Sequence, residues 1–527
     1  MNRTELLQKT AQRWPDAIIP GSFRANGVVC EIQCANDAVP QLCGWLFLDW
    51  KFSFAGLVVE QGEREWELRH CFYGDADVGW IHVLMRAPLS QTTFPSIVRF
   101  VHAADWHERE AEDLFGLQFE GHPRLGDFIL HDDAWQEDVV PMRREFDAAA
   151  AMHHRKPDAN WRPQRIVHEP GAFVMPIGPK YSGVTEPVHF LLETVGEDVI
   201  RSAPRLFYKW RAIEKLAEGK PVEDVLLLAE RFAANTAFAH GLAFCLAVET
   251  LTGTIVPDRA RILRIFLAEL ERLRQHAGAI QEICESTALV VANSQAGILE
   301  EDLLRICGEL TGHRYLFGML RPGGLLIDLS NESCRKAVEN SKRVLQDLQE
   351  LRHALRVSSS FLDRLEEVGT VSVHDAAVFG LLGPVARASG LVRDLRRAQP
   401  YLGYENFQFD VPSEVEGDGY ARLRVLFNEA TQSLRIMEQA VGTLQSGHIY
   451  EPLRPKAGAT LGWAEAPRGG TFHWVRLTDD CRVARYRIVP PSLANWHGFH
   501  LAVEKFAFQD FPIMLSTFDL SVAENDR

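Results

Sequence analysis

Apolar and polar residues alternate along Phe52–Glu60, Trp66–Phe72 and Trp80–Arg86, the period-two pattern of half-buried strands. Pro95 then introduces a segment with helical content that carries Glu108-Arg109-Glu110. Residues 148–170 turn from Ala-rich to rich in His, Lys, Pro and Arg, and read as a linker or an extended arm. Past it the period changes to that of a helix. Pro221 opens a run that reaches Thr252 and closes at Gly253, and Pro257 opens another that passes Glu285. Within the second, Leu263, Phe266, Leu267, Leu270 and Leu273 share one helical stripe. Leu299–Thr311, Asn331–Leu355 and Tyr420–Val441 predict further helices, and 458–489 returns to strand-like content. The pattern predicts an α+β chain: a small α+β domain over 1–147, the linker over 148–170, and a mainly helical domain with peripheral strands over 171–527.

Composition narrows the function classes. A chain of 527 residues, 46% hydrophobic and 24% charged, has ample material for large cores. A net charge of −15 argues against a nucleic-acid surface, which needs clustered Lys and Arg. The segment from Met1 lacks the apolar core of a signal peptide, and no run approaches the ~20 apolar residues of a membrane span. The expectation is a protein made and kept in the cytoplasm. Nine scattered cysteines read as reduced thiols. Cys30 and Cys34, at even spacing on a strand-like stretch, are expected in the core rather than on a metal.

Two sets of motifs carry a resemblance. Residues 108–123 hold Glu108-Arg109-Glu110, Asp113, Phe115-Gly116 and Gly121-His122-Pro123, with Pro141-Met142-Arg143 downstream. This part resembles the 30-kDa-type subunit of respiratory complex I. From about Val174 come Arg211-Ala212-Ile213-Glu214, Glu230-Arg231, Arg321-Pro322-Gly323-Gly324, Gly383-Pro384 with Arg387, Asp394 and Arg396, and Glu465-Ala466-Pro467-Arg468-Gly469. In this order they resemble the complex I 49-kDa-type subunit and its relative, the large subunit of nickel–iron hydrogenases. Fusion of the two in one chain is typical of the membrane-bound hydrogenase branch related to formate hydrogenlyase.

In metal-bearing members of that family two C-x-x-C pairs hold the metals. The matching positions here are Ala233, Thr236, Ser521 and Glu524. Soft thiolates suit a nickel–iron centre, so the resemblance implies a chain that binds no metal and no cofactor of its own. A C-terminal tail, which nickel-bearing relatives commonly lose after metal insertion, is expected to be absent after Arg527. The implied setting is the cytoplasmic face of a membrane, held there through partners: a small subunit with a [4Fe–4S] cluster, a ferredoxin-like subunit and antiporter-like membrane subunits. NADH, where the family uses it, binds another subunit.

Candidate chemistry follows from the same resemblance. Glu214 matches a glutamate that relays protons beside the metal pocket; a partly buried carboxyl there is expected to have its pKa raised toward neutral. Arg387, Asp394, Arg396, Glu465 and Arg468 form a second group, for which a structural ion-pair network is the preferred reading. A quinone-like acceptor is the ligand that the complex I resemblance suggests. Gly178-Pro179-Lys180-Tyr181 puts Tyr181 where that family carries a histidine, and Tyr181 can donate a hydrogen bond without titrating near neutrality. His189 is the nearby alternative donor, weighed against a satisfied core histidine. The run Glu108–Asp113 reads as an interface or a solvated helix face rather than as a catalytic cluster.

Overall fold

The computed structural model describes residues 3–15, 18, 24–26, 29–135, 139–153, 160, 167–168, 170–180, 186–504 and 506–527. The N-terminal part is built on a five-stranded sheet, in the order 24–26, 29–33, 80–88, 65–73, 53–61. Val29–Gln33 runs parallel to Trp80–Pro88 and the other pairs are antiparallel. The three alternating segments are therefore strands, each within two residues of its expected bounds. They are not half-buried, however: Phe54–Glu60 is buried at every position. The reason is a second cover. One face, through Phe54, packs on His107 of the helix Asp105–Phe115. The opposite face carries Tyr73, Trp80 and His82 against Phe472, Trp463 and Trp474 of the C-terminal half.

The helix with Glu108–Asp113 starts ten residues after Pro95, because Thr93–Pro95 pairs as a strand with Gln118–Glu120. It ends at Gly116, which takes φ 66°. Cys30 and Cys34 are buried, as their spacing predicts. The linker begins with a short helix, Ala148–His153; most of the rest of it lies outside the described residues.

The larger part opens with a three-stranded antiparallel meander, 172–177, 189–195 and 198–205. Four long helices follow the predicted stripes: Asp258–Ser286, Val290–Thr311, Asn331–Arg356 and Gly419–Thr443. Asp258–Ser286 is the spine, packed on both Gly419–Thr443 and Val290–Thr311. The five stripe residues from Leu263 to Leu273 are all buried in its core.

The run from Pro221 to Thr252 is two helices, Val222–Arg231 and Ala237–Thr252, bent by 112°. Three groups hold the break open. Arg211 donates to the Phe232 carbonyl at 2.9 Å, Arg274 donates to the Asn235 carbonyl, and the Glu271 carboxylate accepts the amides of Phe238 and Ala239 at 2.7 and 3.0 Å. The last contact satisfies first-turn N–H groups that no carbonyl can reach. No single helix among the described residues is long and apolar enough to cross a membrane. The bent pair passes by composition, yet Ala237–Thr252 is almost wholly core.

Strands 458–466, 469–477 and 483–489 form an antiparallel meander whose first turn is Pro467-Arg468. The chain ends in short helices, 511–517 and 522–525, with Arg527 buried.

Candidate functional site

Three buried clusters receive the candidate residues. The first surrounds the positions that the resemblance equates with metal ligands. Thr236 sits at the helix break and donates to Glu524 Oε1 at 2.9 Å. Ser521 caps the last helix, accepting the Glu524 amide at 3.2 Å, while the Ser492 amide donates to Glu524 Oε2 at 3.3 Å. Ala233 is buried one turn away, its carbonyl accepting the Thr236 amide. Arg468 Nη1 lies 3.6 Å and His240 Nε2 3.7 Å from Glu524 Oε1. Arg468 is anchored from the other side by Asp519, with Nη2 2.8 Å from Oδ1. Burial alone raises the Glu524 carboxyl pKa, but the nearby His240 imidazole and the Arg468 charge more than offset it, bringing it down to about 2.

The donor set at the four positions is a methyl group, two hydroxyls and one carboxylate, and the polar three are already engaged with one another. No two of the nine cysteines stand three residues apart. This set does not fit a nickel–iron centre, which needs soft sulfur donors.

A hydrogen-bonded chain leads away from that cluster. His240 Nδ1 is 3.1 Å from His473 Nε2, and His473 Nδ1 is 2.7 Å from the Tyr486 hydroxyl. Thr471 Oγ1 also reaches His240 Nδ1, at 3.0 Å. Burial, with the Glu214 charge beside it, pushes the Tyr486 pKa well above 10. None of His240, His473 and Tyr486 was legible as a site residue: the two histidines fall in apolar runs, Tyr486 stands between Arg485 and Arg487, and no motif spacing links the three.

Glu214 occupies the second cluster. It lies on the one-turn helix Ile213–Leu216, entered through Ala212 at φ 54°. Its carboxylate accepts from Arg487 at 3.2 Å, Arg485 at 3.3 Å, Arg527 at 3.3 Å and the Ile488 amide at 3.0 Å. Arg487 and Arg527 also hold Glu110, at 2.5–2.7 Å. The middle of the Glu108–Asp113 run is thus buried, and Glu110 joins the N-terminal part to Glu214 through two shared arginines. The solvated-face reading fails for Glu108, Arg109 and Glu110, which are at most 7% exposed. They are buried because the helix lies between its own sheet and the C-terminal strands. The carboxyls whose pKa burial lifts to about 7 include Glu230, Glu271 and Asp526, none of them singled out from the sequence for proton transfer.

The third cluster holds the rest. Arg387 pairs with Glu429 at 2.6 Å and Glu465 at 2.9 Å, and Glu429 also meets His276 at 3.0 Å. Arg396 bridges Asp394 at 2.6 Å and Glu269 at 3.0 Å, and Tyr404 and Ser433 complete the Glu269 shell. Glu465 and Arg468 flank one turn but serve different clusters.

His189 opens its strand half-buried, with Nδ1 3.3 Å from the Tyr208 hydroxyl; burial lowers its pKa. Tyr181 lies outside the described residues. Glu186 accepts the Val522 and Ala523 amides at 2.7 and 3.0 Å, and so meets the C-terminal turn beside the first cluster.

Comparison with known proteins matches both parts. The family model of the respiratory-chain NADH dehydrogenase 30 Kd subunit matches residues 32–151, and that of the 49 Kd subunit matches 298–457. Formate hydrogenlyase subunit 5 of Escherichia coli is 31% identical over 461 residues, spanning 85% of this chain and 79% of the relative. The fused C/D subunit of NADH-quinone oxidoreductase from Bdellovibrio bacteriovorus is 26% identical over 538 residues, 94% and 95% of the two chains. Hydrogenase-4 component G of Escherichia coli is 29% identical over 464 residues, 86% and 79%.

Proposed function

The chain belongs to the family of fused 30-kDa/49-kDa-type subunits that includes these oxidoreductase relatives, and on that premise we propose that it serves in the peripheral arm of a membrane-associated, energy-converting redox complex without a nickel–iron centre. In this reading a [4Fe–4S] cluster in an adjoining small subunit delivers electrons near the first cluster. A ferredoxin-like subunit and antiporter-like membrane subunits complete the assembly. Electron arrival is coupled to proton movement through Glu214 and the charges around it. The observation that carries the proposal is the buried connection from Glu524 through His240 and His473 to Tyr486, on which the Glu214 charge acts. A charge change at one end of such a low-dielectric network is felt at the other, since water is not there to screen it.

A quinone-like acceptor at Tyr181, with His189 as the alternative donor, belongs to the same proposal. Its support is the contact of the neighbouring Glu186 with Val522 and Ala523.

The closed ion-pair cluster around Arg387, Asp394, Arg396 and Glu465 favours a second reading, a scaffold that joins the iron–sulfur partner to the membrane arm with no reaction of its own. All four side chains are buried and paired. Reconstituted complex carrying Glu214→Gln or Tyr181→Phe separates the two. The coupled reading expects at least tenfold slower turnover in Glu214→Gln with the complex still assembled. Wild-type turnover in both variants leaves the scaffold.

A further inference from the structure

Three histidines of the N-terminal part lie on its junction with the rest of the chain, and each meets the other side as a neutral ring. His107, on the helix Asp105–Phe115, is buried, and Arg487 donates to its Nδ1 at 3.3 Å. A guanidinium has donors only, so that nitrogen accepts, which a protonated imidazole cannot do. His82 is buried 5.9 Å from Trp474, centroid to centroid, and its Nε2 has no hydrogen-bond partner. A proton added there would put a charge out of reach of water. His131 is buried as well; its Nε2 donates to the Leu206 carbonyl at 2.8 Å, and its ring lies 4.8 Å from that of Tyr208.

The charges that face these rings are mostly cationic or already paired. Glu31 and Glu67, near His82, are held by Arg69 at 2.9 and 2.7 Å, and Glu67 also by Arg86 at 2.7 Å. Asp127 and Asp133, near His131, are held by Arg205 at 2.9 and 2.7 Å. Around His107 stand Arg487, Arg527, His70 and His497, while Glu110 and Glu214 are taken by the same two arginines. Burial, with the Arg487 and Arg527 charges, holds His107 well below the usual 6.5; burial and Arg69 bring His82 down to about 3, and burial and Arg205 bring His131 to about 4. His497 also spans the junction, but Asp105 at 3.2 Å favours its proton, so it is the weaker member. Glu108 and Asp113 bond inside the N-terminal part, to Ser96, Ile97, Ile129 and Leu130, and opening leaves them in place. Glu60 and Glu110, paired across the junction, titrate below 4.5 and stay charged above pH 5.

We propose that the junction is an acid-sensitive latch, shut while His82, His107 and His131 are neutral and opened in mild acid, when their protonation parts the N-terminal sheet from the C-terminal strands. Opening frees each ring to titrate near 6.5. Its contribution is therefore complete above that pH and is lost as the pH falls below it. The latch rests on the junction alone and is independent of the redox reading.

Thiol labelling of the full chain, read cysteine by cysteine by mass spectrometry, tests it. Cys71 is buried beside Phe472 and Trp474, where opening of the junction uncovers it, whereas Cys284 is buried on the spine helix. The reagent is a pyridyl disulfide, which reacts with thiols at acid pH, and rates are divided by that of a free cysteine peptide at the same pH. Each histidine contributes about tenfold between pH 7.5 and pH 5.5. Cys71 should thus label at least a hundredfold faster at pH 5.5, with Cys284 unchanged. His82→Gln and His131→Gln should each cut that response about tenfold. A Cys71 rate that changes less than threefold, or that rises only in step with Cys284, overturns the proposal. So does a pH response that both substitutions leave intact.

Discussion

Glu524 binds together the polar side chains at the positions that the resemblance equates with metal ligands. Its two oxygens take Thr236, the Ser492 amide and the flanking charges of Arg468 and His240. The sign of the pH effect follows from its depressed pKa. The unfolded carboxyl titrates near the usual 4.5 and the folded one near 2. Its contribution to stability is therefore complete above about 4.5 and is lost as the pH falls through 2. Glu524→Gln removes the titration, so the stability gap between wild type and variant should narrow below pH 4.5, by up to about 1.4 kcal/mol per pH unit. Urea unfolding from pH 6 to pH 3 reads this; a gap independent of pH contradicts it. At this scale the sequence told half the story. The resemblance is what drew attention to Ala233, Thr236, Ser521 and Glu524. The neighbours of Glu524, His240 and Ser492, were not legible, because a contact between residues more than 30 positions apart leaves no periodic trace.

Elements were more legible than residues, and the misses have a common cause. Stripes such as Leu263–Leu273 predicted the long helices well, since one apolar face is what a packed helix needs. The break between Arg231 and Ala237 escaped because Phe232–Thr236 contains no Pro or Gly to announce it. It is imposed from outside, by Arg211, Glu271 and Arg274. The helix after the break also meets strand 458–466 at very short range. A Cβ at Gly462 would collide with the Ala243 carbonyl and the Ala247 amide. Gly462→Ala should therefore cost at least the ~1–3 kcal/mol of overpacking, more because backbone is hit. Denaturant midpoints check this, and a variant as stable as wild type would show that the strand and helix are not in contact.

The whole molecule is one interlocked body made from two sequence parts. Arg487 and Arg527 tie Glu110 to Glu214, Arg476 reaches Glu60 at 2.6 Å, Gln399 donates to the Gly74 carbonyl at 2.8 Å, and Trp80 packs on Trp463. Buried pairs of this kind are costly to break singly, about 3–5 kcal/mol each. A chain cleaved between residues 154 and 166 should thus stay together: both fragments are expected in one peak on gel filtration at micromolar concentration. Separate elution would contradict the junction. The fused pair of parts was legible from motif order, whereas the depth of the junction was not. The charged run Glu108–Asp113 looks the same on paper whether it faces water or a neighbour.

In the proposed reading, side chains bonded to one another fill the ground that nickel-bearing members of the family give to a nickel–iron centre. The most direct test is the nickel content of the complex, purified from its native membrane and measured by elemental analysis against the amount of this chain. Well under one-tenth of a nickel per chain is predicted; one nickel per chain, retained through purification, would contradict it.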